Sequence, residues 1–254
     1  MDYGFSDRKA LVLSASRGLG AASAKLLAGE GARVFAAARN TAAVADWAGD
    51  LPVTPVALDL ADPESVARVG AAMAEEGIDI LVNNCGGPAA GPARGQGAAT
   101  WEAAFAAMAG SIFALTDALL PGMIARGFGR VITIGSSGVI APIPNLALSN
   151  GVRGAVAGWS KTLAAEVAAQ GVTVNMVLPG RIATDRVREL DAGKARRSEM
   201  TLEAVEAESR ATIPAGRYGR PEEFAAVIAF LASAQASYVT GSMLRVDGGM
   251  LRNL

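Results

Sequence analysis

A doubly wound α/β fold, one parallel sheet with helices on both faces, is predicted by three features of the sequence. Seven apolar runs of strand length recur along the chain, and Ala-rich stretches of helical length separate most of them. A glycine-rich turn joins the first run to the first helical stretch. This rhythm is that of βαβ units.

The seven runs lie at 10–13, 33–38, 53–58, 78–82, 131–135, 172–178 and 243–246. They are close to continuously apolar rather than alternating, as strands buried on both faces require. Helices are read at 18–29, 63–76, 99–125, 152–170 and 221–232. Pro63 and Pro221 fall in first turns, where the missing N–H is not needed. Asp62 and the run Arg220-Pro221-Glu222-Glu223 fit helix starts. No repeat, low-complexity tail or Pro/Gly/Ser linker divides the chain, so 1–254 reads as one domain.

One stretch breaks the rhythm. Residues 186–213 are charged, carry no strand signal and separate the sixth run from the helix at 221. A segment that long between core elements reads as a flap over a binding site. Its first half is basic, with Arg186, Arg188, Lys194, Arg196 and Arg197; its second half, 199–208, is acidic and helix-like.

Composition narrows the function. With 51% hydrophobic and 19% charged residues the chain supplies a sizeable core and is far from the signature of disorder. A net charge of −1 and a pI near 5.7 give no electrostatic case for nucleic acid or an anionic membrane. Histidine is absent, which excludes a Ser-His-Asp triad, a Cys-His pair and a His-ligated zinc site, and no metal is expected. The lone Cys85 cannot form an intramolecular disulfide and fits a reducing compartment. Residues 1–9 lack a signal-peptide pattern, and no stretch reaches the roughly 18 uninterrupted apolar residues of a membrane helix. A soluble, cytoplasmic protein is expected.

The first run leads through Ser14-Ala15-Ser16-Arg17-Gly18-Leu19-Gly20 directly into a helix. Such a turn offers backbone N–H groups to a pyrophosphate at the positive end of the helix dipole. A tight turn without ligand would look similar, but the position inside a βαβ unit favours binding. The second run ends Ala36-Ala37-Ala38-Arg39-Asn40. An NAD-preferring site would place Asp or Glu there for the ribose 2′-hydroxyl, and Ala38 cannot serve. Arg39 follows, with Arg17 on the glycine turn, and two guanidinium groups suit a 2′-phosphate. NADP(H) is therefore the expected cofactor.

Further motifs follow in order: Leu58-Asp59-Leu60, Asn83-Asn84-Cys85-Gly86, Ile134-Gly135-Ser136-Ser137, Pro179-Gly180-Arg181-Ile182-Ala183-Thr184 and Val246-Asp247-Gly248-Gly249. With Arg17-Gly18-Leu19-Gly20 they make the chain resemble the short-chain dehydrogenase/reductases, and within them the 3-oxoacyl-carrier-protein reductase type, from Ala10 to Gly249. The resemblance implies a single Rossmann-type domain with strand order 3-2-1-4-5-6-7 and a site at the C-terminal strand ends. It implies that Ser14, Ser16, Arg17 and Leu19 line the pyrophosphate and adenosine ribose, and that Asp59 and Leu60 flank the adenine. Asn84, Cys85 and Gly86 would lie along the cofactor, with Pro179, Gly180, Ile182 and Thr184 toward the nicotinamide. Ser14 stands where the family has glycine, and Cys85 where it usually has alanine, a small buried residue rather than a reactive thiol. A homo-oligomer, tetramer or dimer, built through the two long Ala-rich helices and the C-terminal region is also implied.

The family's proton-transfer set is largely missing. Ser136 falls on the family serine, but the tyrosine position holds Ser149, just ahead of the helix read at 152–170. The lysine position holds Arg153 and the asparagine position Met108. Tyr3, Tyr218 and Tyr238 lie elsewhere, and Lys161 reads as a solvated face residue. An alkyl hydroxyl is a far weaker acid than a phenol, and arginine does not deprotonate in proteins. Arg153 can still hold a ribose hydroxyl or clamp a carboxylate or phosphate, so a small-molecule substrate, anionic ones included, is expected. Three functions stay open. One is an NADP(H)-dependent oxidoreductase acting on a carbonyl or hydroxyl through Ser136, Ser149 and Arg153. The others are a non-redox lyase or isomerase, and a noncatalytic NADP(H)-binding protein.

Overall fold

The computed structural model describes residues 3–253. Its centre is a seven-stranded parallel sheet in the order β3-β2-β1-β4-β5-β6-β7, as expected. The strands are β1 (Lys9–Leu13), β2 (Arg33–Ala38), β3 (Val53–Ala57), β4 (Ile80–Asn83), β5 (Gly129–Ile134), β6 (Val172–Pro179) and β7 (Met243–Val246). The order reverses between β1 and β4, so the chain leaves a crevice above the C-terminal ends of the central strands.

Alternation along β1 shows how the sheet builds two cores. Ala10 and Val12 face one layer, with α1 (Gly18–Gly29), α2 (Thr41–Ala48) and α9 (Pro221–Ala232). Leu11 and Leu13 face the other, with α3 (Pro63–Glu76), α5 (Ser111–Ala125) and α6 (Ala147–Val167). Both faces of the central strands are thus covered, which explains their unbroken apolarity. The edge strand β3 departs from that reading: most of it is solvent-facing, and it accommodates Pro55, a residue confined to sheet edges.

The remaining differences from the sequence reading lie in helices. The helix α2, missed in the sequence, is capped by the Asn40 side chain, which accepts from the Ala43 N–H at 3.1 Å. The stretch read as one helix at 99–125 is α4 (Ala98–Phe105), a π-helical turn at Ala106–Gly110, and α5 in direct continuation. Taken together, Ala98–Ala125 is long and apolar enough to cross a membrane by length and composition, which amends the reading from uninterrupted runs. Here α5 packs on α3 and the sheet instead. The flap holds two helices, α7 (Asp185–Ser198) and α8 (Leu202–Ala211). The basic half is therefore helical too. The helix read at 199–208 begins three residues later because Glu199 takes a left-handed conformation and Thr201 caps α8.

Candidate active site

The site starts where β1 ends. Ser14 and Gly18 both have positive φ, 50° and 60°, so Ser14 carries a left-handed strain of about 1 kcal/mol that glycine would avoid. A Cβ on Gly20 would stand 2.4 Å from the Ser14 carbonyl oxygen, so the turn requires glycine at that position. Asn84 Nδ2 donates to the same carbonyl at 3.5 Å and ties the β4 end to the turn. The helix α1 opens with no side-chain cap and no acidic residue in its first turn. Its leading N–H groups and positive dipole end are left for an anion, which is the feature a bound pyrophosphate needs.

The turn borders a cleft of about 710 Å³. All the positions read from the sequence as catalytic or cofactor-binding line it: Ser14, Ser16, Arg17, Leu19, Arg39, Asp59, Leu60, Asn84, Cys85, Gly86, Ser136, Ser149, Arg153, Pro179, Gly180, Ile182 and Thr184. At the end formed by β2, Arg39 is exposed and has no hydrogen-bond or ion-pair partner among the described residues. Arg17 differs, because its Nη1 lies 3.3 Å from both Asp185 Oδ2 and Glu189 Oε1 of α7. Asp59 is turned to its own backbone, accepting from the Ala61 N–H at 3.0 Å.

At the opposite end stand the three candidates for chemistry. Ser136 Oγ accepts from the Gly138 N–H at 3.0 Å, which fixes its oxygen and leaves its proton available. Ser149 is buried, and its hydroxyl has no partner among the described residues. It sits inside the first turn of α6, not ahead of it. Asn150 accounts for the earlier helix start, holding both the N–H and the carbonyl of Ile143. Asn150 is thereby consumed in anchoring the loop over the cleft. Arg153, one turn further on, donates to Ile134 O at 3.0 Å and to Cys85 O at 3.4 Å, bridging the ends of β5 and β4. It has no carboxylate partner among the described residues, so a fixed positive charge stands at the cleft wall.

No phenol replaces the missing one. Tyr3 stacks on Phe5, Tyr218 donates to Asp191 at 2.7 Å, and Tyr238 is fully exposed. Met108 is buried in the π-helical turn, and Cys85 Sγ lies 4.0 Å from its carbonyl. The Cys85 side chain is buried, in keeping with a packing role. Lys161 Nζ donates to Gly241 O at 2.9 Å, so this exposed residue ties α6 to the approach of β7.

The flap is anchored by a group that no sequence pattern marked. Asp191, 1% exposed on α7, is ion-paired with Arg181 and accepts from the Tyr218 hydroxyl. Burial, first of all, pushes the Tyr218 phenol above its ordinary pKa. Of the five basic residues in the first half of the flap, only Arg186 lines the cleft, where its Nη2 donates to Pro88 O at 3.0 Å. The acidic half is held by ion pairs, Lys194–Glu208 between α7 and α8 and Glu206–Arg210 within α8.

A family model described as enoyl-(acyl carrier protein) reductase matches residues 14–251. The 3-oxoacyl-[acyl-carrier-protein] reductase FabG of Vibrio cholerae is 39% identical over 248 residues, covering 95% of this chain and 96% of that protein. The chain belongs to the short-chain dehydrogenase/reductase family. Two solved structures of reductases illustrate how far the likeness extends. The L-sorbose reductase of Gluconobacter frateurii, complexed with NADPH and L-sorbose, superposes with a TM-score of 0.93 at 31% identity, covering all of both chains. YwfH, an NADPH-dependent reductase involved in bacilysin biosynthesis, superposes with a TM-score of 0.92 at 28% identity, covering 98% of this chain and 100% of that one. Both family and fold agree with the resemblance carried by the six motifs.

Proposed function

We propose that this short-chain dehydrogenase/reductase is an NADP(H)-dependent oxidoreductase acting on the carbonyl or hydroxyl of a small molecule. The observation that carries the reading is convergence: cofactor motifs scattered from Ser14 to Thr184 line one cleft beside an uncapped helix N-terminus. A bound NADP(H) would supply or accept the hydride. The first turn of α1 would hold its pyrophosphate, Arg39 and Arg17 its 2′-phosphate, and Asp59 and Leu60 its adenine. Asn84, Cys85 and Gly86 would run beneath it, with Pro179, Gly180, Ile182 and Thr184 at the nicotinamide.

Ser136 and Ser149 orient the reacting oxygen through their hydroxyls, and the Arg153 guanidinium stabilises negative charge that develops on it. Arg153 cannot release a proton, and serine is a poor acid, so the proton reaches that oxygen from water, directly or relayed through Ser149. A fixed guanidinium without a carboxylate partner among the described residues also favours an anionic substrate. The non-redox and noncatalytic alternatives draw no support from the reductases to which the chain is similar.

We further place the protein in the cytoplasm, on its lone buried cysteine. We read 1–254 as one domain with 186–213 as its flap. A homo-oligomer through α4–α5 and α6 is supported by Phe105, 43% exposed, which packs edge-on against Phe113, itself tilted on Trp159. Titration of the protein with NADPH and with NADH, followed by NADPH consumption against a panel of carbonyl compounds, tests the central reading. Tighter NADPH binding with turnover on at least one compound is expected. Equal affinities would overturn the cofactor assignment, and tight binding without turnover would overturn the catalytic one.

A further inference from the structure

The N-terminal turn of α7 spans the mouth of the cleft. On one rim, Asp185 and Glu189, one helical turn apart, both reach Arg17 of the glycine-rich turn at 3.3 Å. On the other, Arg186 donates to Pro88 O at 3.0 Å, and Glu189 lies 3.9 Å from Arg186. The root of the helix lies beside the same turn, where a Cβ added at Gly18 would stand 3.8 Å from Thr184 Cγ2. Arg17 thus has two competing kinds of partner: the flap carboxylates that hold it here, and the phosphate that the cleft is shaped to take.

We propose that Asp185 and Glu189 are specificity-determining residues for the cofactor: they hold Arg17 against the flap, and a 2′-phosphate draws it away. This rests on the NADP(H) reading above. All three side chains are more than half exposed, at 63%, 66% and 51%, so the pairs are weak and readily exchanged. A phosphate carries more charge than either carboxylate and accepts a guanidinium in bidentate fashion, so it competes well for Arg17. NAD(H) has only a hydroxyl at that place and leaves the flap contact intact. Arg39 has no rival partner among the described residues, so it supplies the initial hold on the 2′-phosphate, and Arg17 adds to it after giving up α7. Linkage then requires reciprocity: the flap carboxylates weaken NADP(H) binding by the factor by which NADP(H) loosens the flap.

The test is equilibrium titration of the full chain with NADPH and NADH, comparing the parent, Asp185→Asn with Glu189→Gln, Arg17→Ala, and all three changes together. Removing the carboxylates should raise the preference for NADPH over NADH, read as the ratio of the two affinities, roughly threefold. In the Arg17→Ala background the same removal should leave that ratio unchanged. Loss of the Asp185 charge at the helix start would affect both cofactors alike and cancels in their ratio. Hydrogen exchange over 185–198 should accelerate with saturating NADPH and not with NADH. A parent protein that prefers NADPH, with a ratio that the double variant leaves unchanged, overturns this proposal alone. A parent that binds both cofactors equally overturns the NADP(H) reading and this proposal with it.

Discussion

Arg130 and Arg153 sit at opposite ends of the same sheet, and each guanidinium is held by backbone carbonyls. Arg130, at the start of β5, donates to Ser233 O, Gly129 O and Gly171 O and lies over the Phe128 ring at 4.2 Å. It is 3% exposed, and burial together with the nearby Arg8 charge pushes its pKa below the ordinary arginine value. Arg153 reaches the carbonyl at the end of β5 but spends its contacts on two oxygens and remains at the cleft wall. The same residue type with the same class of partner is a closed strut in one place and an open charge in the other. What separates them is whether spare N–H groups face protein or solvent.

The contrast extends to both ends of the sheet. Below β1 and β4, the buried Asp79 accepts from the Lys9 N–H at 3.2 Å and from Arg126 Nε at 3.1 Å, so its charge is matched within the fold. Above, Arg39 and Arg153 have no carboxylate partner among the described residues. Charge at the lower end is expected to contribute stability, and charge at the upper end binding and turnover.

Substitutions at each end can break this division. Arg130→Met removes all three of these hydrogen bonds and should cost about 3 kcal/mol, lowering Tm by roughly 6–10 °C without changing cofactor affinity. Thermal unfolding with and without NADPH measures both, and a Tm within about 2 °C of the parent would contradict the strut assignment. Arg39→Asp should do the reverse. The carboxylate repels a 2′-phosphate and accepts from a free 2′-hydroxyl, so the NADPH-to-NADH preference should invert by on the order of a hundredfold with Tm nearly unchanged. An unchanged ratio from paired titrations would remove Arg39 from the site.

The smallest effect lies outside both ends. Hydrogen bonds from Arg217 and from the Arg220 N–H hold the Glu223 carboxyl at about 2, below its ordinary 4.5. Because the folded value is depressed, its stabilisation is present above about pH 4.5 and is lost as pH falls toward 2. Glu223→Gln should therefore lower Tm slightly at pH 7, with the difference vanishing near pH 2. A difference independent of pH would show that the charge is not what caps α9.

Much of this was legible in sequence because the signals were local. Strand-length apolar runs at 10–13 and 172–178 and the turn from Ser14 to Gly20 depend on neighbours a few residues away. The flap was not legible in the same way. A buried carboxylate such as Asp191 reads like any surface acid until Arg181 and Tyr218 are brought to it by the fold. Arg17 meets partners 168 and 172 residues away. Arg153 is fixed by carbonyl groups, which every residue carries and no pattern can mark.

Steady-state kinetics of Arg153→Lys on a turned-over carbonyl substrate, with NADPH affinity and Tm measured alongside, test most directly whether this open charge takes part in the reaction. An ammonium keeps the charge but cannot span Ile134 O and Cys85 O while facing the substrate with a planar fork. A fall in kcat/KM of at least about tenfold is expected, with NADPH affinity within about twofold and Tm little changed. Unaltered turnover and cofactor binding would contradict the assignment and make Arg153 a second strut, the counterpart of Arg130.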